Sequence, residues 1–175
     1  MHSEAAEWIV KLGLRPHTEG GFYREIYRSP TPLPAKVLPA TFDSSRVMVT
    51  TITYLLPGNQ VSRIHRLRGD EMWFYHTGSS LSLHVFGQEF GYACYGLGLA
   101  TEKGERPQVL IKAGWWFGAT VDDPNSYTLA ACSVAPGFEF EDYEAGDRQL
   151  IMATWPEKGD LIKRLTPLPY PETLT

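Results

Sequence analysis

The chain has 175 residues, 43% of them hydrophobic and 21% charged, with a formal net charge of −4. That balance belongs to a globular chain with a core of its own and excludes a disordered or fibrous one. The mild acidic surplus offers no basic patch for nucleic acid or an anionic membrane, which leaves a small molecule as the expected partner.

The length predicts one domain over residues 1–175, and sixteen glycines with thirteen prolines mark a chain that turns often. No apolar run approaches the roughly 18 residues of a membrane helix. Glu4 and Glu7 stand where a leader would be basic and then apolar, so a cytoplasmic protein is expected. Cys94 and Cys132 imply no disulfide framework and are expected as a buried, reduced pair.

In chain order, Ser3 is placed to cap a helix whose Ala5, Trp8, Ile9 and Leu12 follow helical spacing, with Gly13 at its left-handed C-cap. Residues 21–28 read as a strand, and Pro30, Pro32, Pro34 and Pro39 then exclude a ladder across 30–40. Further strands are expected over 47–56, 61–66, 71–76, 80–86, 90–97, 108–112, 127–134 and 138–143, parted by turns such as Pro57-Gly58, Thr77-Gly78, Lys103-Gly104 and Pro136-Gly137. In the last of these, Phe138 and Phe140 alternate with Glu139 and Glu141, the pattern of a charged edge strand that discourages association. Leu161, Ile162 and Leu165 predict a second short helix after Pro156. Short strands at this spacing form a sandwich or barrel, here an all-β barrel over about 45–145 framed by short terminal helices.

The segment Gly58-NQVSRI-His65-R-Leu67-RGD-Glu71-MWFYHT-Gly78 resembles the first motif of the cupin superfamily: a glycine, His-x-His, a glutamate and a closing glycine, with one extra residue before His65. HTEGGFYREIYRS (17–29), the stretch 53–78, KAGWWFGA (112–119), SYTLAACSVAPGFEFEDYE (126–144) and LIKRLT (161–166) look like the fifth cupin subfamily, a domain of unknown function. The resemblance implies a double-stranded β-helix, the jelly-roll-like barrel shared with the dehydrorhamnose epimerases, and a homodimer. Metal-binding cupins draw two histidines and a glutamate from the first motif and a third histidine from the second. Here Leu67 holds the second position, and aligning Gly114 with the second motif's glycine puts Phe117 at the third. Apolar side chains donate no electron pair, so no metal and no cofactor is expected.

Strand alternation puts His65 on one face with Arg63 and Leu67, and Glu71 with Trp73 and Tyr75. The resemblance implies that those faces point inward, so that an imidazole, a carboxylate, a guanidinium and aromatics converge as in a pocket for a polar or anionic, sugar-like metabolite. His65 is then the general base, oriented by Glu71. Tyr127 supplies a phenol as general acid by analogy with the related epimerases. Tyr23, Glu25, Arg63, Trp73, Tyr75, Trp115 and Phe117 are expected to line the ligand. The expectation is a metal-independent isomerase or epimerase. Two rivals stay open: a non-catalytic metabolite-binding module, and a metal-dependent oxygenase or lyase in which one further group joins His65 and Glu71. The same His–Glu pair would also serve as a buried structural bond between strands.

Overall fold

A computed structural model describes residues 2–168. Helix α1 (Ser3–Leu12) opens the chain and ends at Gly13, whose φ of 60° is the left-handed conformation a C-cap glycine supplies. Ser3 is already helical: His2 holds the N-cap position and makes no side-chain capping bond, so the expected serine cap is not formed. Ala5, Trp8, Ile9 and Leu12 lie against Leu55, Tyr127 and Leu129 of the barrel wall, which is why their helical spacing was needed.

The strands are β1 (Arg15–Pro16), β2 (Phe22–Arg28), β3 (Pro32–Leu33), β4 (Arg46–Val47), β5 (Thr50–Pro57), β6 (Val61–Leu67), β7 (Asp70–Gly78), β8 (Leu81–Gly87), β9 (Gly91–Leu97), β10 (Gln108–Ile111), β11 (Trp116–Val121), β12 (Tyr127–Ala135) and β13 (Tyr143–Ala145). Two antiparallel sheets, β1-β2-β5-β12-β7-β10 and β13-β6-β11-β8-β9, make the all-β barrel that the spacing predicted, in the form of the double-stranded β-helix that the resemblance implied. The main core lies between them and draws Tyr54, Leu56, Trp73, Ala130 and Cys132 from the first sheet and Leu83, Val85, Phe117 and Ala119 from the second. A second core forms on the outer face of β6 and β8, where Ile64 and Phe86 pack beneath α2 (Arg148–Thr154) and α3 (Gly159–Leu165) through Ile151, Trp155, Ile162 and Leu165. Among the described residues no helix is long and apolar enough to cross a membrane.

Four local expectations change. Pro32 does enter a ladder, as the first residue of β3 paired with Val47 in a two-stranded ribbon where its missing N–H costs nothing. Trp116–Val121, unassigned in the strand pattern, is the central strand β11 between β6 and β8. Phe138–Tyr143 is not an edge strand: Phe140–Asp142 forms a 3₁₀ turn ahead of β13, and the acids are bound by arginines. Arg46 grips Asp142 through two bonds of 2.6 Å, and Arg28 holds Glu139 at 2.7 Å. Cys94 and Cys132 are both free thiols, but only Cys132 is buried, because Cys94 is exposed on β9.

One irregularity decides what faces inward. On β6 the register against β11 runs from Phe117–His65 to Ala119–Ser62, so three steps on one strand match two on the other. This β-bulge absorbs the extra residue noted before His65. Gly118 makes room for it, since a Cβ there would press on the Ser62 carbonyl and the Ile64 nitrogen. As a result Arg63 and Ile64 both turn outward while Ser62 and His65 both turn inward. Arg63, read as sharing the face of His65, instead hydrogen-bonds the carbonyl of Pro167 just past α3.

Candidate functional site

The inner faces of β5, β6, β7, β11 and β12 bring Tyr54, His65, Glu71, Trp73, Phe117 and Cys132 into one region of the barrel interior. Two of these contacts follow from register: Phe117 pairs with His65, with ring centroids 4.2 Å apart, and Cys132 pairs with Trp73. A further acid enters from the loop between β1 and β2. Gly20 and Gly21 take φ values of 107° and 71°, and the backbone passes so close to Val61 and Leu55 that a Cβ at either glycine would overlap a carbonyl oxygen. The loop is fixed by Arg63 N–H donating to Glu19 O at 2.9 Å, Tyr54 Oη–H donating to Gly20 O at 2.8 Å, and Gly21 N–H donating to Gln60 Oε1 at 2.8 Å. This threading buries Glu19 beside His65.

His65 Nδ1 lies 2.7 Å from the carbonyl oxygen of Arg63. A carbonyl only accepts, so Nδ1 carries the proton and Nε2 the lone pair. Nε2 faces Glu19 Oε2 at 3.3 Å, not Glu71 as expected. Burial pushes the His65 imidazole down to about 3, so the ring is neutral. The Glu19 carboxyl is raised well above its ordinary value, first by burial and then by the nearby charge of Glu71. A neutral Glu19 can therefore donate to the His65 lone pair. Behind Glu19, His17 accepts the Glu19 N–H on Nδ1 at 3.2 Å, stacks edge-on against Tyr23 at 4.6 Å, and is lowered to about 4 by burial.

Glu71 is 7% exposed and its carboxyl is raised to about 7, by burial, against the smaller opposing influence of the Trp73 indole and the Cys132 thiol. The Cys132 thiol itself is held well up, by burial and then by the charges of Glu71 and Glu19. The Trp73 N–H and the Cys132 thiol both act on the Glu71 carboxyl as donors, yet neither Glu71 Oε2 nor Trp73 Nε1 reaches the full geometry of a hydrogen bond with any described residue. Ser62 Oγ is buried beside the Tyr54 phenol, likewise short of full hydrogen-bond geometry.

The other expected site residues are placed elsewhere. Tyr127 belongs to the outer face of β12, under α1, where its hydroxyl accepts from Trp8 Nε1 at 3.0 Å; alternation along β12 separates it from inward Cys132, so it does not stand opposite His65. Glu25 is exposed and paired with Arg28 at 2.9 Å. Tyr75 reaches the margin of the core and donates to Gly78 O, and Trp115 packs on Phe90 at 4.7 Å at the other margin. Tyr23 packs at the margin of the same core, across from Tyr54 on β5, with its ring edge-on to His17. His17, Glu19, Tyr54 and Cys132 were not anticipated; the paired glycines after Glu19 were the available sign that this loop passes close to other backbone. A cavity of about 520 Å³ opens next to the cluster, lined by Arg66, Leu67, Arg68, Gly114, Glu144 and Tyr143, the last with its ring 5.5 Å from His65.

The residues present do not fit a metal of the kind the fold often holds. Leu67 and Phe117 occupy two of its ligand positions, Nδ1 of His65 is committed to a carbonyl, and among the described residues no three His, Cys, Asp or Glu side chains form a group able to hold an ion.

The family described as "Cupin superfamily (DUF985)" matches residues 6–146. An X-ray crystal structure of a Shewanella oneidensis protein is 35% identical, with a TM-score of 0.82 over 95% of this chain and 98% of that one. A hypothetical protein from Leishmania major is 31% identical, again with a TM-score of 0.82, over 95% and 99%. An uncharacterised Klebsiella pneumoniae protein with a double-stranded β-helix domain shares the fold at 13% identity and a TM-score of 0.52, over 79% and 94%. No protein of curated function matches the chain.

Proposed function

Because the chain belongs to the cupin superfamily, in the family DUF985, we propose that its barrel interior binds a small polar metabolite and moves a proton on it, as an isomerase or epimerase does without a metal. The observation that carries this reading is the pair of buried, unsatisfied polar atoms, Glu71 Oε2 and Trp73 Nε1, side by side among groups whose proton affinities are strongly displaced. An unpaired buried donor or acceptor costs about 1–3 kcal/mol, a cost that a ligand completing both bonds removes.

The roles follow from protonation. His65 is too weak a base at neutral pH and its Nε2 lone pair faces Glu19, so the base is Glu71, whose carboxyl is raised to about 7. Glu71 takes the proton from a carbon next to a carbonyl; the C–H pair becomes the new C=C bond, and the carbonyl oxygen gains the charge. The Trp73 N–H lies beside that carboxyl to meet the oxygen. Return of the proton, to the same carbon or its neighbour, restores the carbonyl. His65 and Glu19 hold the neighbouring wall in one protonation state.

The test is deuterium exchange. Wild-type protein incubated in D₂O with neutral hydroxyketones and monosaccharides should exchange the hydrogen next to the carbonyl, read by NMR, and Glu71→Gln should abolish that exchange while keeping the fold. A ligand bound by the wild type without any exchange would instead identify a binding module.

A further inference from the structure

The proposed reading leaves the ligand's chemical class open, and the interior's own charges narrow it. The groups facing the site are the carboxyls of Glu19 and Glu71, the neutral imidazoles of His17 and His65, the Tyr54 phenol and the Cys132 thiol. The arginine that would have welcomed an anion, Arg63, faces the chain beyond α3. Among the described residues these groups include two acids and no cation, and Arg66 and Arg68 at the neighbouring cavity are already paired with Glu144 and Asp43, so the desolvation of a carboxylate or phosphate beside Glu71 would go uncompensated.

The two unsatisfied atoms narrow it further. Glu71 and Trp73 are two residues apart on one face of β7, 7% and 3% exposed, and each lacks a completed hydrogen bond: one is an acceptor, the other a donor that cannot accept. We propose that the interior recognises an electrically neutral ligand through a two-point fork, in which a carbonyl oxygen accepts from the Trp73 indole N–H and an adjacent hydroxyl donates to Glu71 Oε2, the arrangement of an α-hydroxycarbonyl. The inference rests on the reading of the interior as a ligand site.

Indole N–H resonances of ¹⁵N-labelled protein separate the two. The Trp73 signal is assigned by its loss in Trp73→Phe, and the protein is titrated with dihydroxyacetone, glycolate and acetamide. Dihydroxyacetone should shift the Trp73 resonance with a Kd at least about tenfold below that of glycolate or acetamide, and Trp73→Phe, whose binding is compared with the wild type by calorimetry, should weaken it about tenfold, the value of one hydrogen bond. Glu71→Gln, a near-isosteric change, should weaken it as well. Glycolate or acetamide moving Trp73 as tightly as the hydroxyketone, or Trp73→Phe binding unchanged, overturns the fork and leaves the interior site standing. No probe moving Trp73 overturns both.

Discussion

Replacing Gly20 with alanine tests whether the loop that delivers Glu19 is held as tightly as its backbone implies. The new Cβ meets two penalties. At φ 107° an L-residue is strained by about 1–2 kcal/mol, and the methyl overlaps the Val61 carbonyl oxygen, a backbone atom of β6 that cannot swing aside, for about another 1–3 kcal/mol. Gly104→Ala is the control: its φ is 84° but nothing lies within 4 Å of the added atom, so only the first penalty applies. Urea unfolding followed by tryptophan fluorescence should show a loss of about 2–5 kcal/mol for Gly20→Ala against about 1–2 for Gly104→Ala. At about 2–4 °C per kcal/mol for a chain of this size, Gly20→Ala should melt several degrees below the control. Equal losses in the two variants would refute close packing of the loop on β6, and with it the account of why Glu19 is buried.

Three other outcomes follow from the same geometry. The Glu71 carboxyl, about 7 when folded against an ordinary 4.5, keeps a proton that the unfolded chain releases, so wild-type stability should fall as pH rises from about 4.5 to 7 and then level off. Glu71→Gln lacks this loss and should gain about 3 kcal/mol on the wild type between pH 4.5 and 8 in denaturant titrations; a pH-independent difference would contradict the burial. Tyr127→Phe should cost about 1 kcal/mol through the lost Trp8 bond and leave deuterium exchange untouched, so a loss of exchange would return Tyr127 to the site. Arg63→Met should speed amide hydrogen exchange in Gly159–Leu165 while the Trp73 indole resonance stays in place; the reverse pattern would put Arg63 inside the barrel.

The barrel is legible in the sequence because alternation and turn dipeptides act locally, and most strand positions need nothing else. His65, Glu71, Trp73 and Phe117 are brought together as their alternation and motif spacing indicated. What was not legible depends on departures from period two or on contacts distant in sequence. The alternation that placed Arg63 inward fails at the β6 bulge, whose sequence trace was the one surplus residue of the motif. Glu19 reaches His65 across 46 positions through a loop with no periodicity, and only the two glycines hint at its close passage. Cys132 joins Glu71 only once the β12–β7 register is known. Phe138–Tyr143 alternates like a strand, yet Arg46 and Arg28 capture its acids and the chain turns instead, a choice made by partners far along the chain.

The bulge on β6 also separates the fate of the barrel from that of the helices strapped to it. Removing either Arg63 or Ile64 would return the strand to plain alternation with Ser62 and His65 still facing inward, so the chemical lining would survive the deletion. The exterior would not: one deletion unfastens the segment after α3, and the other takes away the apolar anchor beneath α2 and α3. A relative with the shorter spacing can thus carry the same interior but must secure its C-terminal helices by other means. The surplus residue of this motif therefore serves the docking of the helices and leaves the lining of the barrel as it would be without it.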